Sequence, residues 1–221
     1  MQRALVLPLL LAAAAVVRAG PPAVCWPVEI GDARSLPWGA EAFEKDKAYD
    51  ARRVVEDTLG LLDAKMPVLV RMETVRRATI YLQESQTGRD ALLRALASRV
   101  LDAEAAKKPS ALAWFDAGYA RGCFGQLRES GADGYAWVRH AVEVAGGSPE
   151  MEYACCLLSL MGARDAFQGH LEKAMAGTEK NPLLARNVES LKKLSAPVLR
   201  YFEDKEKGMG PGKGKGAEGK E

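Results

Sequence analysis

The sequence has little net charge, little histidine and no long uninterrupted apolar span, and each shortage removes a class of function. Its formal charge of +2 comes from 31 Lys and Arg against 29 Asp and Glu, and loss of a leader carrying Arg3 and Arg18 would bring it to neutrality. Composition therefore forces no strongly basic face, which argues against nucleic acid or an anionic membrane as the main partner. His140 and His170 are the 2 histidines. Each occupies a single polar slot of an amphipathic helical pattern, so both are expected to be solvated or to support a neighbour rather than to bind zinc. The G-x-S-x-G elbow, the H-E-x-x-H helix, the P-loop and the dinucleotide fingerprint are absent, and the cysteines lack C-x-x-C spacing. Asp116 has no evident reason to meet Glu129 or Asp133, and Cys123 beside Arg121 has no nearby base. No catalytic residue, metal ligand or cofactor is assigned.

The apolar run from Ala4 to Val17 in "MQRALVLPLLLAAAAVVRAG" is too short to span a bilayer with ease. It begins after Arg3 and ends in Val17-Arg18-Ala19, a small-residue cleavage pattern. Residues 1–19 are therefore read as a cleaved secretory signal, which places the mature chain outside the cytoplasm, periplasmic or secreted, without stable membrane insertion. Cys25, Cys123, Cys155 and Cys156 would then meet an oxidising compartment, where disulfides are allowed but not demanded. Adjacent Cys155 and Cys156 point to different sides of a helix. Equivalent helices starting at Pro109 and Pro149 set Cys123 and Cys155 eight residues out of register, about 12 Å at helical rise and beyond disulfide reach. Cys155 and Cys156 are read as small buried apolar residues, and whether any of the four is bridged stays open.

What is present is helical. Residues 20–39 hold Pro27 and Pro37 among Trp26, Val28, Ile30, Leu36 and Trp38, too apolar for a tether and too broken for a helix, so they read as an extended strap. Residues 40–203 read as one helical domain. Ala51, Val55, Leu59 and Leu62 form the first stripe, ended by Pro67, and Val68, Met72, Val75, Thr79 and Leu82 the second, with Arg71, Arg76 and Arg77 off it. Thr87 is the expected cap of a third helix, with Asp90 in the capping-box position. A fourth starts at Pro109-Ser110 and stops near Gly131; Asp133 caps a fifth, ended by Gly146-Gly147. Ser148-Pro149 opens a sixth, closed by Gly162, and Asn181-Pro182 opens an eighth that Pro197 bends. Residues 204–221, rich in Gly and Lys, are expected to be disordered.

Setting "WVRHAVEVAGGSPEM" above "HLEKAMAGTEKNPLL" aligns Val138 with Leu171, Ala141 with Ala174, Val142 with Met175 and Pro149 with Pro182, all at an offset of 33 residues. A small Ala on the second helix of a pair permits close approach, and Pro at the turn starts the next pair. This spacing resembles that of tetratricopeptide-type repeats, and "WFDAG", with Trp114, Ala117 and Gly118, is similar to the opening of that family's first helix. Ala117 stands where the family has Leu and Arg121 where it has an aromatic. The resemblance covers about residues 111–195 and implies an all-α fold of antiparallel helical hairpins stacked as a right-handed superhelix, with an irregular helical bundle as the alternative architecture. It also implies a concave groove that takes a protein or peptide. Phe115, Tyr119 and Arg121 are the groove residues expected, since aromatic side chains with Arg are common interface anchors. The alternatives are an exported all-α enzyme acting on an envelope polymer, marked by carboxylates or His meeting in a pocket, and a purely structural module.

Overall fold

The computed structural model describes residues 26–41, 43–128, 134–160 and 166–206. The expected signal, Cys25, the Asp133 cap, the stops at Gly131 and Gly162 and the tail from residue 207 lie outside the described residues.

Among the described residues a 3-10 turn, Ala51–Arg53, leads into eight α-helices: α1 Val54–Leu61, α2 Val68–Tyr81, α3 Gln86–Ala105, α4 Ala111–Arg128, α5 Gly134–Val144, α6 Pro149–Ser159, α7 Phe167–Met175 and α8 Pro182–Glu206. Strand-type pairing among the described residues is one isolated antiparallel bridge between Trp38 and Lys45. The chain is all-α.

Local chemistry sets several helix ends. The Ser148 hydroxyl accepts the Met151 amide with Pro149 in the first turn, and the Asn181 carboxamide accepts the Leu184 amide at 3.0 Å; in both, a donor left orphaned by the helix start is satisfied. Gly146 and Gly147 take φ of +68° and +100° where α5 ends, a backbone form that side chains disfavour. At α3 the cap is Ser85, not Thr87: its hydroxyl accepts the Gly88 amide, two residues earlier than the capping box predicts. Asp90 instead receives the Gln86 carboxamide one turn below it. The last helix continues through Pro197 to Glu206, into the first residues of the expected tail.

The second helix departs furthest from its sequence pattern. Its stripe predicts one buried face with three arginines outside it, yet Arg71 and Arg76 are 2% and 0% exposed. The cause is tertiary: α1, α4 and α6 all pack on α2, and the segment before α1 crosses it. In that segment Trp26, Val28, Ile30 and Leu36 are buried, each removing apolar area worth about 1.5–3 kcal/mol from water. Val28 donates its amide to Glu73 on α2 at 3.0 Å, Arg77 donates to the Leu36 carbonyl at 2.7 Å, and the Tyr81 hydroxyl donates to the Pro37 carbonyl at 2.9 Å. At its other end the Asn187 side chain on α8 accepts the Glu29 amide and donates to the Glu29 carbonyl, both at 2.8 Å.

α4 and α5 cross closely through glycine. Gly118 lies against the Trp137–Val138 backbone, and a β-carbon on Gly134 would overlap the backbone of Gly122. Further contacts pair α3 with α4, α5 with α6, α6 with α7 and α7 with α8, while α2, α4 and α6 all touch one another.

Candidate functional site

Two groups of side chains combine polar chemistry with a defined position, one on the outer side of α4 and α5 and one between α6 and α7. The expected groove residues divide between the interior and the first of these. Phe115 and Tyr119 have no exposed surface and stack on each other, ring centroids 5.9 Å apart and planes 4° from parallel. They are core residues and present nothing for a partner to touch. The reason is the α4–α5 crossing and the closeness of α2, which bury the face that the sequence assigns to a groove. Arg121, from the opposite edge of α4, is partly exposed, its guanidinium 4.9 Å from the Trp137 ring centre.

Around Arg121 lies a partly exposed aromatic group. Trp114 meets Trp137 edge to face at 5.0 Å and His140 at 4.6 Å, and its indole N–H donates to Glu104 at 2.9 Å. The geometry is that of favourable aromatic pairs, worth about 0.5–1.5 kcal/mol beyond burial. His140 is accordingly near the surface, with Nδ1 3.4 Å from the Glu143 carboxylate.

His170 is not solvated. It is 9% exposed, with Nδ1 2.5 Å from Glu152 Oε2 and Nε2 2.7 Å from the Tyr135 hydroxyl. Lys173 Nζ lies 3.4 Å from the other Glu152 oxygen. The Cys155 sulfur joins the same cluster: one donor atom each from Glu152, Cys155 and His170 lie within 4.8 Å of one another. Burial pushes the Cys155 thiol up to about 12. A carboxylate, an imidazole and a phenol in a row can hold or relay a proton, and the carboxylate, thiol and imidazole together offer three metal donors of different kinds. Sequence reasoning missed this cluster; the available signal was Glu152-x-x-Cys155, one helical turn apart on α6, which places both side chains on the face toward α7.

A third polar group is internal to the fold. Arg71 and Asp116, both buried, pair at 3.1 Å, and removal from water pushes the Asp116 carboxyl up to about 7 despite the opposing pull of Arg71 and Arg99. This is where Asp116 finds its partner; Glu129 and Asp133 lie outside the described residues. Cys123, Cys155 and Cys156 are free and buried.

Among the described residues no helix is long and apolar enough to cross a membrane. Neither a family model, nor a curated protein, nor a solved structure matches the chain.

Proposed function

We propose that this chain is an exported helical-repeat scaffold that binds a protein or peptide. The repeat reading draws support from the equivalent positions: Val138 and Leu171, and Ala141 and Ala174, are buried on α5 and α7, while Pro149 and Pro182 are the first residues of α6 and α8. Stacked hairpins of tetratricopeptide type place such residues at the same points of successive units.

The observation that carries the binding reading is the partly exposed group of Trp114, Trp137 and Arg121. Trp and Arg dominate interface energetics because a wide flat surface leaves water at small cost in side-chain freedom. The contact surface is therefore this outer face of α4 and α5, not Phe115 and Tyr119. Pull-down from an extracytoplasmic extract, comparing the natural chain with Arg121→Ala combined with Trp137→Ala, tests it: partner recovery falls at least tenfold while circular dichroism is unchanged. Equal recovery from a folded double variant removes these residues from the site. Export itself is read by sequencing the amino terminus of the recovered protein, expected at Gly20.

A second reading, an exported enzyme acting on an envelope polymer, is favoured by one observation, the Glu152–His170–Tyr135 chain. Turnover of envelope polysaccharide by the purified protein, lost in His170→Gln, would select it over the scaffold.

A further inference from the structure

We propose that Glu152, Cys155 and His170 form a binding site for one divalent transition-metal ion of the zinc class. This is independent of the partner-binding reading, which uses the opposite edge of α5.

The donor set comes first. A carboxylate oxygen, a thiol sulfur and an imidazole nitrogen converge from two helices to within 4.8 Å of one another, and all three residues are buried, at 5%, 0% and 9% exposure. In a tetrahedral zinc site, bonds of roughly 2.0–2.3 Å hold ligand atoms roughly 3.3–3.8 Å apart. The three atoms already stand within about 1 Å of that spacing, and the short Glu152–His170 contact needs only to open as an ion replaces the shared proton. Sulfur with imidazole excludes calcium and magnesium, which take oxygen donors, and fits zinc and its neighbours.

The surroundings of His170 supply the second argument. A ligating imidazole is normally fixed by a hydrogen bond from its other ring nitrogen, and here Nε2 already faces the Tyr135 hydroxyl at 2.7 Å. A phenol both donates and accepts. With Nδ1 protonated toward Glu152, Tyr135 donates to Nε2; with an ion on Nδ1, the ring proton sits on Nε2 and Tyr135 accepts it. The cluster thus suits either occupant without rearranging Tyr135. On metal binding the Cys155 S–H bond breaks, the electron pair stays on sulfur and forms the metal bond, and the proton leaves to solvent. A Glu152 carboxylate and a Cys155 thiolate then neutralise a dication, and Lys173, mostly exposed on its side chain, turns to water. Three protein donors leave a fourth position for water or a substrate atom.

The test uses the full chain, kept reduced and stripped with chelator, then titrated with Co2+ alone. Binding gives one equivalent of tetrahedral cobalt with a sulfur-to-cobalt charge-transfer band, displaced by Zn2+. Cys155→Ser abolishes the charge-transfer band, Cys156→Ser keeps it, and Tyr135→Phe weakens affinity by about tenfold or more. A natural chain that is folded by circular dichroism yet takes up no cobalt overturns the proposal, whatever the variants do. So does a charge-transfer band that survives in Cys155→Ser.

Discussion

Glu73 and Val28 are joined by a hydrogen bond across 45 residues of chain, the carboxylate on α2 accepting the amide of the strap at 3.0 Å. The same carboxylate takes Arg76 through both oxygens at 2.7 and 2.8 Å and Arg77 at 2.8 Å. Four donors thus satisfy one buried anion, and two of its cations are tied to it.

Removing that anion should be costly. Glu73→Ala removes the carboxylate from a buried ion pair with Arg76 and the acceptor of the Val28 amide, so it destabilises by about 3–5 kcal/mol, the usual loss when one member of a buried ion pair is deleted. Urea unfolding followed by tryptophan fluorescence measures it. A loss under about 1 kcal/mol, the range of surface pairs, would show that the anion does not organise α2.

Asp116 gives a pH signature. Its carboxyl is pushed up to about 7, above the ordinary range it has in the unfolded chain, so the folded state holds the proton more tightly. Stability from this group is full at low pH and lost as pH rises through the interval from about 4 to about 7, with a steepest slope of about 1.4 kcal/mol per pH unit. Asp116→Asn, which cannot ionise, lacks this component. Thermal melting of both proteins between the two limits should show the natural chain losing stability with rising pH relative to the variant; parallel profiles would contradict the assignment.

The α4–α5 crossing has no room for a side chain at Gly134. Gly134→Ala should cost about 1–3 kcal/mol by overpacking, although alanine is intrinsically the better helix former by about 1 kcal/mol. Gly60, where an added β-carbon would meet nothing within 4 Å, is the control: Gly60→Ala should stabilise. Denaturant midpoints that move the same way in both variants would sink the argument.

The thiols should be silent in the folded protein. Cys123 and Cys155 have no exposure, and burial pushes each up to about 12; Cys156 is buried alike and shifted in the same direction. Iodoacetamide at neutral pH should modify none of the three until urea is added, as counted by mass spectrometry of tryptic peptides.

Features set by near neighbours along the chain are legible in the sequence. Ser148 and Asn181 start helices because their side chains reach amides three residues on, a relationship contained in a few positions. The burial of Ala141 and Ala174 follows from a pattern repeated twice. What is not legible depends on distant pairing. Nothing near Arg71 announces that it will be buried, because its partner Asp116 is on another helix. Phe115 and Tyr119 read equally well as groove or core until α5 is laid on α4 through Gly118 and Gly134. The cluster at His170 needs α6 and α7 side by side, which no stretch of neighbouring residues announces.

A row of helices in which each touched only its neighbours would melt from its ends, because the outermost member gives up one interface only; the mutual contacts of α2, α4 and α6 already depart from such a row. Here Asn187 of the final helix grips Glu29 while Val28, the adjoining residue, is held by the second helix. Loosening the final helix therefore has to break a tie to the strap that the second helix also holds, so the two ends of the described chain let go together.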